Sequence, residues 1–217
     1  MKRRQFLLGM LGLGAAALWW AKPRDQGAPY PAYFRALNAE LKRHGPMEPA
    51  LVIDLDRLDA NLDQVTRTLV GAGKHYRIVE KSLPSPKLIE YIARRADTRR
   101  LMSFHQPFLN HDAEAFPDFD VLMGKPLPVE AAARFYRDLK GRFDPARQLQ
   151  WLFDTPARIE AYAGLARGLG TRIAASLEID VGLHRGGARD ERELAALLDA
   201  LARHPDVFDF AGFMGYD

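Results

Sequence analysis

The alternation of short apolar runs with longer amphipathic segments constrains the fold of this sequence more than any other feature. Six apolar runs of strand length follow residue 75, and no two of them are joined by a hairpin turn. Strands connected in this way lie parallel in one sheet that the connecting helices cover. Strands are predicted at residues 76–80, 100–104, 120–123, 149–153, 172–179 and 208–214, with an earlier one at residues 50–54. Helices are predicted at residues 33–44, 56–69, 84–95, 128–139, 156–167 and 191–203.

The residues after the first strand of this sheet favour a barrel over a doubly wound fold. A dinucleotide-binding fold carries a glycine fingerprint there, whereas this chain has Lys81-Ser82-Leu83-Pro84. We therefore predict a TIM-type (β/α) barrel, incomplete in this chain, with about six of its eight units. Six open units expose two unpaired edges of an apolar sheet. We expect that the chain is a fragment and that two strands and a second, C-terminal domain lie in sequence that it lacks.

Polar residues at the predicted strand ends mark the candidate site, since barrel enzymes place their active sites at the carboxyl ends of the strands. Lys81 ends an apolar strand and should point into the mouth of the barrel. An amine partly removed from water there is a usable nucleophile towards an aldehyde. The other polar residues at strand ends are His105, Gln106, Lys125, Asp154, Thr155, Glu178, Asp180, His184, Arg185, Tyr216 and Asp217.

Four segments carry motifs that occur together in one enzyme class. Residues 49–62 follow the pattern P-A-(three apolar)-D-L-x-x-L-x-x-N, and residues 76–82 form a strand that ends in a lysine. Residues 178–187 contain D-x-G-x-x-R-x-G, and residues 212–217 contain G-x-x-x-Y-D. In this order the segments resemble fold-type III pyridoxal-phosphate (PLP) enzymes, the class with an alanine racemase-like N-terminal domain. The last segment is similar to the D-threonine aldolase and D-serine dehydratase branch.

This resemblance implies pyridoxal 5'-phosphate as the cofactor and Lys81 and Tyr216 as catalytic residues. Lys81 would be the Schiff-base lysine, Arg185 would contact the phenolic-oxygen side of the pyridine ring, and Tyr216 would lie beside the cofactor or substrate. The implied activity is that of a PLP-dependent lyase or aldolase acting on a D-hydroxy amino acid. The metal ligands of the branch belong to sequence missing here. The resemblance allows a homodimer of the full-length protein and leaves open whether this chain alone is active.

Two departures from the family patterns keep related activities open. Alanine racemases have a tyrosine four residues after the lysine, and this position is Ser85 here. The D-threonine aldolase branch has histidines around its lysine, whereas Glu80 and Ser82 flank Lys81. The alternatives within the class are an amino-acid racemase of the same fold and a non-catalytic PLP-binding homeostasis protein.

A barrel glycosidase is the alternative outside that class. Glu178 and Asp180 lie on the same side of a predicted strand, and with Asp154 they could supply the paired carboxylates of glycoside hydrolysis. That function leaves Lys81 and Arg185 unexplained.

Charge and cysteine content narrow the classes of partner. Five basic residues and one acidic residue lie in residues 1–29, and removing them from totals of 31 and 28 leaves a net charge of −1. A nucleic-acid partner is therefore not expected. The chain has no cysteine, which excludes disulfides and thiolate ligands. No metal site is predicted, because His105 and His111 are six residues apart and do not share a helix face.

Residues 1–29 are predicted to be an export signal and linker, and residues 30–217 the partial PLP-binding barrel. Lys2, Arg3 and Arg4 precede an apolar run, and Arg-Arg-x-Phe-Leu resembles the twin-arginine signal, which exports folded, cofactor-loaded proteins. The run over residues 6–21 is short for a membrane span of about 20 residues. We expect a periplasmic protein that meets the membrane only through this leader, which would anchor it in the inner membrane if uncleaved.

Overall fold

The computed structural model describes residues 27–82 and 84–216. The chain divides between Ile53 and Asp54 into two units. The predicted export signal falls almost wholly in residues 1–26, which lie outside the described residues. Leu83 and Asp217 also lie outside them. Within the described ranges, no helix has both the length and the apolar character needed to cross a membrane.

The described part of the first unit contains helix α1 (Ala32–His44), which confirms the predicted helix. Its last turn carries Lys42, Arg43 and His44, where positive charge interacts favourably with the helix dipole. The strand predicted at residues 50–54 is wrong. An apolar run becomes a strand only where another strand offers backbone partners, and none of the described strands pairs with these residues. Leu51 is accordingly 76% exposed.

The second unit alternates helices with strands. Its helices are α2 (Leu55–Gly71), α3 (Pro86–Arg95), α4 (Gln106–Ala115), α5 (Val129–Asp138), α6 (Pro145–Gln148), α7 (Pro156–Leu169) and α8 (Glu191–Ala202). Its strands are β1 (Ile78–Val79), β2 (Arg100–Ser103), β3 (Asp120–Met123), β4 (Leu149–Phe153), β5 (Ile173–Ile179) and β6 (Phe208–Gly215). The six strands predicted from residue 76 onward are all present, although β1 is shorter than expected.

Helix α4 was not predicted from the sequence, and neither was the short helix α6. Helix α4 was missed because its buried side includes the polar residues Gln106 and Asp112 beside Leu109 and Ala113. Polar residues at these positions hide the apolar periodicity by which a helix is found. The missed helix matters because its Asp112 interacts with Glu80, the residue before Lys81.

The six strands form one parallel sheet in the order β1-β2-β3-β4-β5-β6. A doubly wound sheet reverses its strand order at a switch point, and this order contains no reversal. Consecutive parallel strands with intervening helices are the arrangement of a TIM-type barrel. The predicted fold class, an α/β barrel represented by about six units, is therefore confirmed.

Aromatic packing between the sheet and its helices forms the core. Trp151 and Phe153 of β4 point towards the helices, where both contact the ring of Tyr162 of α7 edge-on at 5.4 and 5.0 Å between centroids. Phe135 of α5 packs on Trp151 at 5.9 Å. All four side chains are almost completely buried. This side of the sheet is the helix-covered face, and the opposite side is called the inner face.

Side-chain caps fix where several helices begin. The carboxylates of Asp54 and Asp190 accept hydrogen bonds from the third residues of α2 and α8, at 3.0 and 2.8 Å, and the Thr155 hydroxyl caps α7 in the same way at 3.4 Å. These bonds satisfy N–H groups that have no partner within the helix. Helix α7 therefore starts directly after β4, and the intervening residues lie at the carboxyl end of the sheet.

A polar chain crosses the inner face. Nη1 of Arg77 donates to the carbonyls of Leu101 and Asp120 at 3.0 and 2.9 Å, and its Nη2 forms an ion pair with the Asp120 carboxylate. Nε2 of Gln150 donates to the same carboxylate at 3.0 Å. Arg77 thus ties the start of β1 to β2 and β3. This anchoring compensates for the two-residue length of β1.

The pairing of β5 with β6 contains a bulge. Ala175 pairs with Phe210, but the next residue, Ser176, pairs with Gly212, so Ala211 is an extra residue on β6. A bulge of this kind bends the strand and alters which way the following side chains point. The residues beyond it lead directly to Tyr216.

Candidate active site

Lys81 follows β1 and lies on the inner face, because side chains alternate along a strand and Val79 points the same way. Its Nζ lies 5.6 Å from the centroid of the Phe104 ring and 5.1 Å from that of Tyr216. Among the described residues Lys81 forms no ion pair. The amine therefore lies near two aromatic rings, at distances typical of cation–π contacts, and the Lys81 residue as a whole is exposed, not partly removed from water as predicted.

The contact between Lys81 and Tyr216 joins the two edges of the sheet. Lys81 follows β1 and Tyr216 follows β6, and these strands are the outermost of the six. In a flat sheet five strand spacings, about 24 Å, would separate them. A distance of 5.1 Å therefore shows that the sheet curls until the carboxyl ends of its edge strands meet. This curvature is what assembles the site.

Arg185 completes the cluster from the loop after β5. Its guanidinium carbon lies 4.9 Å from the centroid of the Tyr216 ring, so the ring contacts both Arg185 and Lys81. Nη2 of Arg185 donates a 2.7 Å hydrogen bond to Oε1 of Glu178, whose side chain is almost fully buried. This ion pair compensates the buried carboxylate and fixes the guanidinium.

The loop that carries Arg185 folds back onto the end of β5. Ala188 donates to the Glu178 carbonyl at 2.8 Å, and Asp180 donates to the Ala188 carbonyl at 2.9 Å. Gly187 permits this return, since its φ is +89° and a Cβ there would lie 2.7 Å from the Glu178 backbone. A side chain at this position would push the loop, and Arg185 with it, away from the sheet.

Asp180 and His184 hold the turn within this loop. The Asp180 carboxylate accepts hydrogen bonds from the backbone N–H groups of Gly182 and His184 at 3.1 and 3.0 Å, and Nδ1 of His184 lies 2.8 Å from it. The His184 ring, followed by the Gly182 N–H, holds the pKa of Asp180 below its usual value. The charged carboxylate therefore organises the five residues that lead to Arg185.

Phe104 is a site residue that sequence reasoning missed. It follows β2, and Gly124 lies against its ring: a Cβ at Gly124 would be 2.3 Å from Cε1 of Phe104. Gly124 therefore leaves the space that the ring occupies beside Lys81. The glycine directly after β3 was the only signal in the sequence, and it does not reveal which neighbour needs the space.

The remaining residues at strand ends have local structural roles. His105 occupies the N-cap position of α4 and packs edge-on against Phe108, and Thr155 caps α7. Asp154 forms a 2.8 Å ion pair with Arg158. No group of three or more metal-ligating side chains is present in the part of the chain that the structure describes.

The carboxylates considered for a glycosidase are each paired with a neighbouring residue. Glu178 is hydrogen-bonded to Arg185 and Asp180 to His184. Asp154, just before α7, forms an ion pair with Arg158 of that helix. Each of the three carboxylates therefore has a basic partner. Lys81, Arg185 and Tyr216 are the predicted residues that the structure brings together.

A family model for the alanine racemase N-terminal domain matches residues 53–217. The chain belongs to the alanine racemase N-terminal domain family. This family consists of fold-type III PLP enzymes, as the sequence resemblance implied. No curated protein matches the chain at a significant level.

Solved structures of fold-type III enzymes share this fold. A D-threonine aldolase from Filomicrobium marinum is 20% identical with a TM-score of 0.63, over 76% of this chain and 43% of that one. A D-threo-3-hydroxyaspartate dehydratase from Delftia sp. HT23 is 21% identical with a TM-score of 0.66, over 78% and 43%. An alanine racemase from Oenococcus oeni is 20% identical with a TM-score of 0.58, over 72% and 43%. The alanine racemase-like chain thus spans less than half the length of these structures.

Proposed function

We propose that this chain is the cofactor-carrying part of a PLP-dependent lyase that acts on a D-configured hydroxy amino acid, with Lys81 as the lysine that binds the cofactor. The observation that carries the proposal is the convergence of the Lys81 amine and the Arg185 guanidinium on the ring of Tyr216. Membership of the alanine racemase N-terminal domain family supports the choice of cofactor.

The residues around Lys81 fit a flat, anionic aromatic cofactor. The Phe104 and Tyr216 rings supply apolar surface near the amine, and Arg185 adds positive charge within contact distance of Tyr216. The amine has no carboxylate partner among the described residues, so no ion pair has to break before it reacts with an aldehyde. PLP, when bound, supplies an electron sink that stabilises negative charge at the substrate α-carbon.

The side chains of the chain would then bind, orient and move protons. Glu178 holds the Arg185 guanidinium in one orientation, and the charge of Arg185 would stabilise a bound anionic cofactor. The Tyr216 ring contacts both Lys81 and Arg185, and its phenol would hold or accept a proton near the reacting amine. Phe104 would shield part of the Lys81 amine from water once the cofactor is bound.

Two observations favour a lyase over an alanine racemase. The Tyr216 motif resembles that of the D-threonine aldolase and D-serine dehydratase branch, and Tyr216 lies beside Lys81. Ser85, at the position of the racemase tyrosine, is exposed at the start of α3. The fold itself favours neither activity, since solved structures named as a D-threonine aldolase, a D-threo-3-hydroxyaspartate dehydratase and an alanine racemase all share it. The proposed substrate is therefore a β-hydroxy amino acid of D configuration.

The test uses protein expressed from the complete coding sequence and mixed with PLP. We expect a visible absorbance band that Lys81→Ala abolishes and that Lys87→Ala, a change of an exposed lysine on α3, leaves intact. Borohydride reduction followed by peptide mass spectrometry should locate the cofactor on Lys81. A band that survives Lys81→Ala would refute the assignment.

The reaction is tested on the same preparation. D-Threonine, D-serine and D-3-hydroxyaspartate are each supplied with their L enantiomers, and carbonyl products are measured. Formation of an aldehyde or keto acid from the D enantiomers supports the lyase. Interconversion of enantiomers without carbonyl product indicates a racemase, and cofactor binding without turnover indicates a homeostasis protein.

We also propose that the protein is exported to the periplasm by its leader. The basis is the Arg-Arg-x-Phe-Leu arrangement followed by an apolar run, in residues that lie outside the described structure. Replacing Arg3 and Arg4 with lysines should retain the protein in the cytoplasm, as measured by cell fractionation.

A further inference from the structure

Two buried carboxyl groups lie behind β1, on the face opposite Lys81. Glu80 is 4% exposed and Asp112, on α4, is 1% exposed, and their carboxyl groups lie within hydrogen-bonding range of each other. Ser103 of β2 is completely buried, and its hydroxyl donates to Oε2 of Glu80 at 3.4 Å. No described residue offers a hydrogen bond to Oδ2 of Asp112. The arrangement is therefore stable only if one of the two carboxyl groups is uncharged.

A single proton shared by Glu80 and Asp112 would stabilise this arrangement. Two ionised carboxylates in contact and removed from water repel each other, and each loses its hydration. A proton on one of them creates a donor, so that one carboxyl donates to the other and Oδ2 of Asp112 gains a partner. The pair then carries a single negative charge, which the Ser103 hydroxyl partly satisfies.

The groups around Asp112 favour this protonated state. Burial first, and then the contact with Glu80, raise the pKa of Asp112 to about 8, while Ser103 opposes the rise. Glu80 from β1 is the charged group acting on Asp112 among the described residues, and Ser103 faces it from β2. On α4 itself the neighbouring His111 and Glu114 are exposed. Among the described residues, no cation acts on Asp112 to compensate a negative charge on both carboxyl groups.

The pair acts on the residue next to the lysine. Strand β1 pairs with β2 through only two residues, and beyond it the backbone N–H of Glu80 donates to the Met102 carbonyl at 3.0 Å. The Glu80 side chain then extends this attachment to Ser103 and to α4. We propose that Glu80 and Asp112 are positioning residues, joined by one proton, that hold the strand end carrying Lys81 against α4. The importance of this Glu80–Asp112 pair for catalysis rests on the proposed function of Lys81.

The first test measures the shared proton without any cofactor. The folded pair keeps a proton that an unfolded Asp112 releases near its ordinary pKa of 3.8, so its stabilisation is full below that value and is lost as the pH rises through about 8. We expect the melting temperature of the apoprotein to fall by about 5 °C between about pH 5 and about pH 9. Asp112→Asn, whose amide is a permanent donor, should remove most of this fall. Glu114→Gln on the same helix should leave it unchanged.

The second test measures the position of Lys81, also without cofactor. Trace acetylation with acetic anhydride, read by peptide mass spectrometry, gives the reactivity of Lys81 relative to Lys87. Asp112→Ala should raise that ratio by about threefold or more, because the strand end loosens. Asp112→Asn should restore the ratio of the unaltered protein. Glu80→Gln provides a second variant if Asp112→Ala does not fold.

The outcomes separate this inference from the proposed function. An equal fall in melting temperature with rising pH in the unaltered protein and in Asp112→Asn would rule out the shared proton. An unchanged Lys81 ratio in Asp112→Ala and Glu80→Gln would rule out positioning. If both tests succeed but the visible band survives Lys81→Ala, the positioning pair stands and the cofactor assignment falls.

Discussion

Arg185 donates a 2.7 Å hydrogen bond to Glu178, and this pair fixes the geometry of the whole cluster. Glu178, the penultimate residue of β5, lies on the inner face, and Arg185 reaches back to it from the following loop and also contacts Tyr216. Because Glu178 is only 3% exposed, its charge depends for compensation on Arg185, its ion-pair partner among the described residues. A structural ion pair therefore also determines the electrostatics of the candidate site.

Removing Arg185 should destabilise the protein as well as weaken cofactor binding. Arg185→Ala leaves the buried Glu178 carboxylate unpaired, and we expect a loss of about 2 kcal/mol in the free energy of unfolding, moderated by the partial exposure of Arg185. Urea unfolding measures this loss. The double variant Arg185→Ala/Glu178→Gln should recover part of it, since the amide carries no charge. Additive losses in the double variant would contradict the pairing.

Filling the space at Gly124 should displace the Phe104 ring. A Cβ at Gly124 would lie 2.3 Å from that ring and 2.9 Å from Met102, so Gly124→Ala should cost about 1–3 kcal/mol of unfolding free energy. The double variant Gly124→Ala/Phe104→Leu should lose less. Gly164→Ala, in α7, is the control, because no atom lies within 4 Å of the added carbon and alanine favours a helix. Thermal unfolding checks all three.

Loss of Arg77 should loosen β1. Arg77→Met removes the hydrogen bonds to the Leu101 and Asp120 carbonyls and the ion pair with Asp120, at a cost of about 2–3 kcal/mol. Hydrogen exchange should then be faster at the Val79 and Glu80 amides. Arg142→Met, which removes an exposed ion pair with Asp118, should leave exchange in β1 unchanged. Slow exchange in Arg77→Met would show that backbone pairing alone secures the strand.

Acid should weaken the start of α8 through Glu193. Hydrogen bonds from the Arg189 guanidinium and then from its backbone N–H lower the pKa of Glu193 to about 2. The folded pKa lies below the unfolded one, so this stabilisation is present above the ordinary value of 4.5 and is lost as the pH falls towards 2. Glu193→Gln should therefore show a smaller fall in melting temperature on acidification than the unaltered protein. Glu191→Gln, in the same turn, should behave like the unaltered protein.

The sequence predicted the parallel sheet and the convergence of three site residues because both follow from local patterns. Each strand was an apolar run, and Lys81, Arg185 and Tyr216 each follow a strand whose carboxyl end faces the same side. Sequence spacing could not show that the ring of Tyr216 contacts both cations. That relation depends on how far the sheet curls, which is set by packing between distant segments.

The errors have a shared physical origin in partners that a sequence does not reveal. The apolar run at residues 50–54 has no described strand beside it, and so it does not form one. Helix α4 was missed because Asp112 is polar yet buried, a position that Glu80 makes tolerable from another strand. Phe104 was overlooked because its place depends on the empty space at Gly124.

The bulge at Ala211 decides which way the last described side chain faces. Side chains alternate along a strand with a period of two, so one additional residue reverses the parity of every later position. With the bulge, Met214 is in register with Glu178, and Tyr216, two residues on, shares the side that Lys81 occupies. In an uninterrupted strand that paired Ala211 with Ser176, the phenol would turn towards the helices. Deleting Ala211 would therefore remove the bulge and keep Gly212 opposite Ser176 and Tyr216 on the side of Lys81, whereas inserting one residue after Gly212 would turn the phenol away from Lys81 and Arg185.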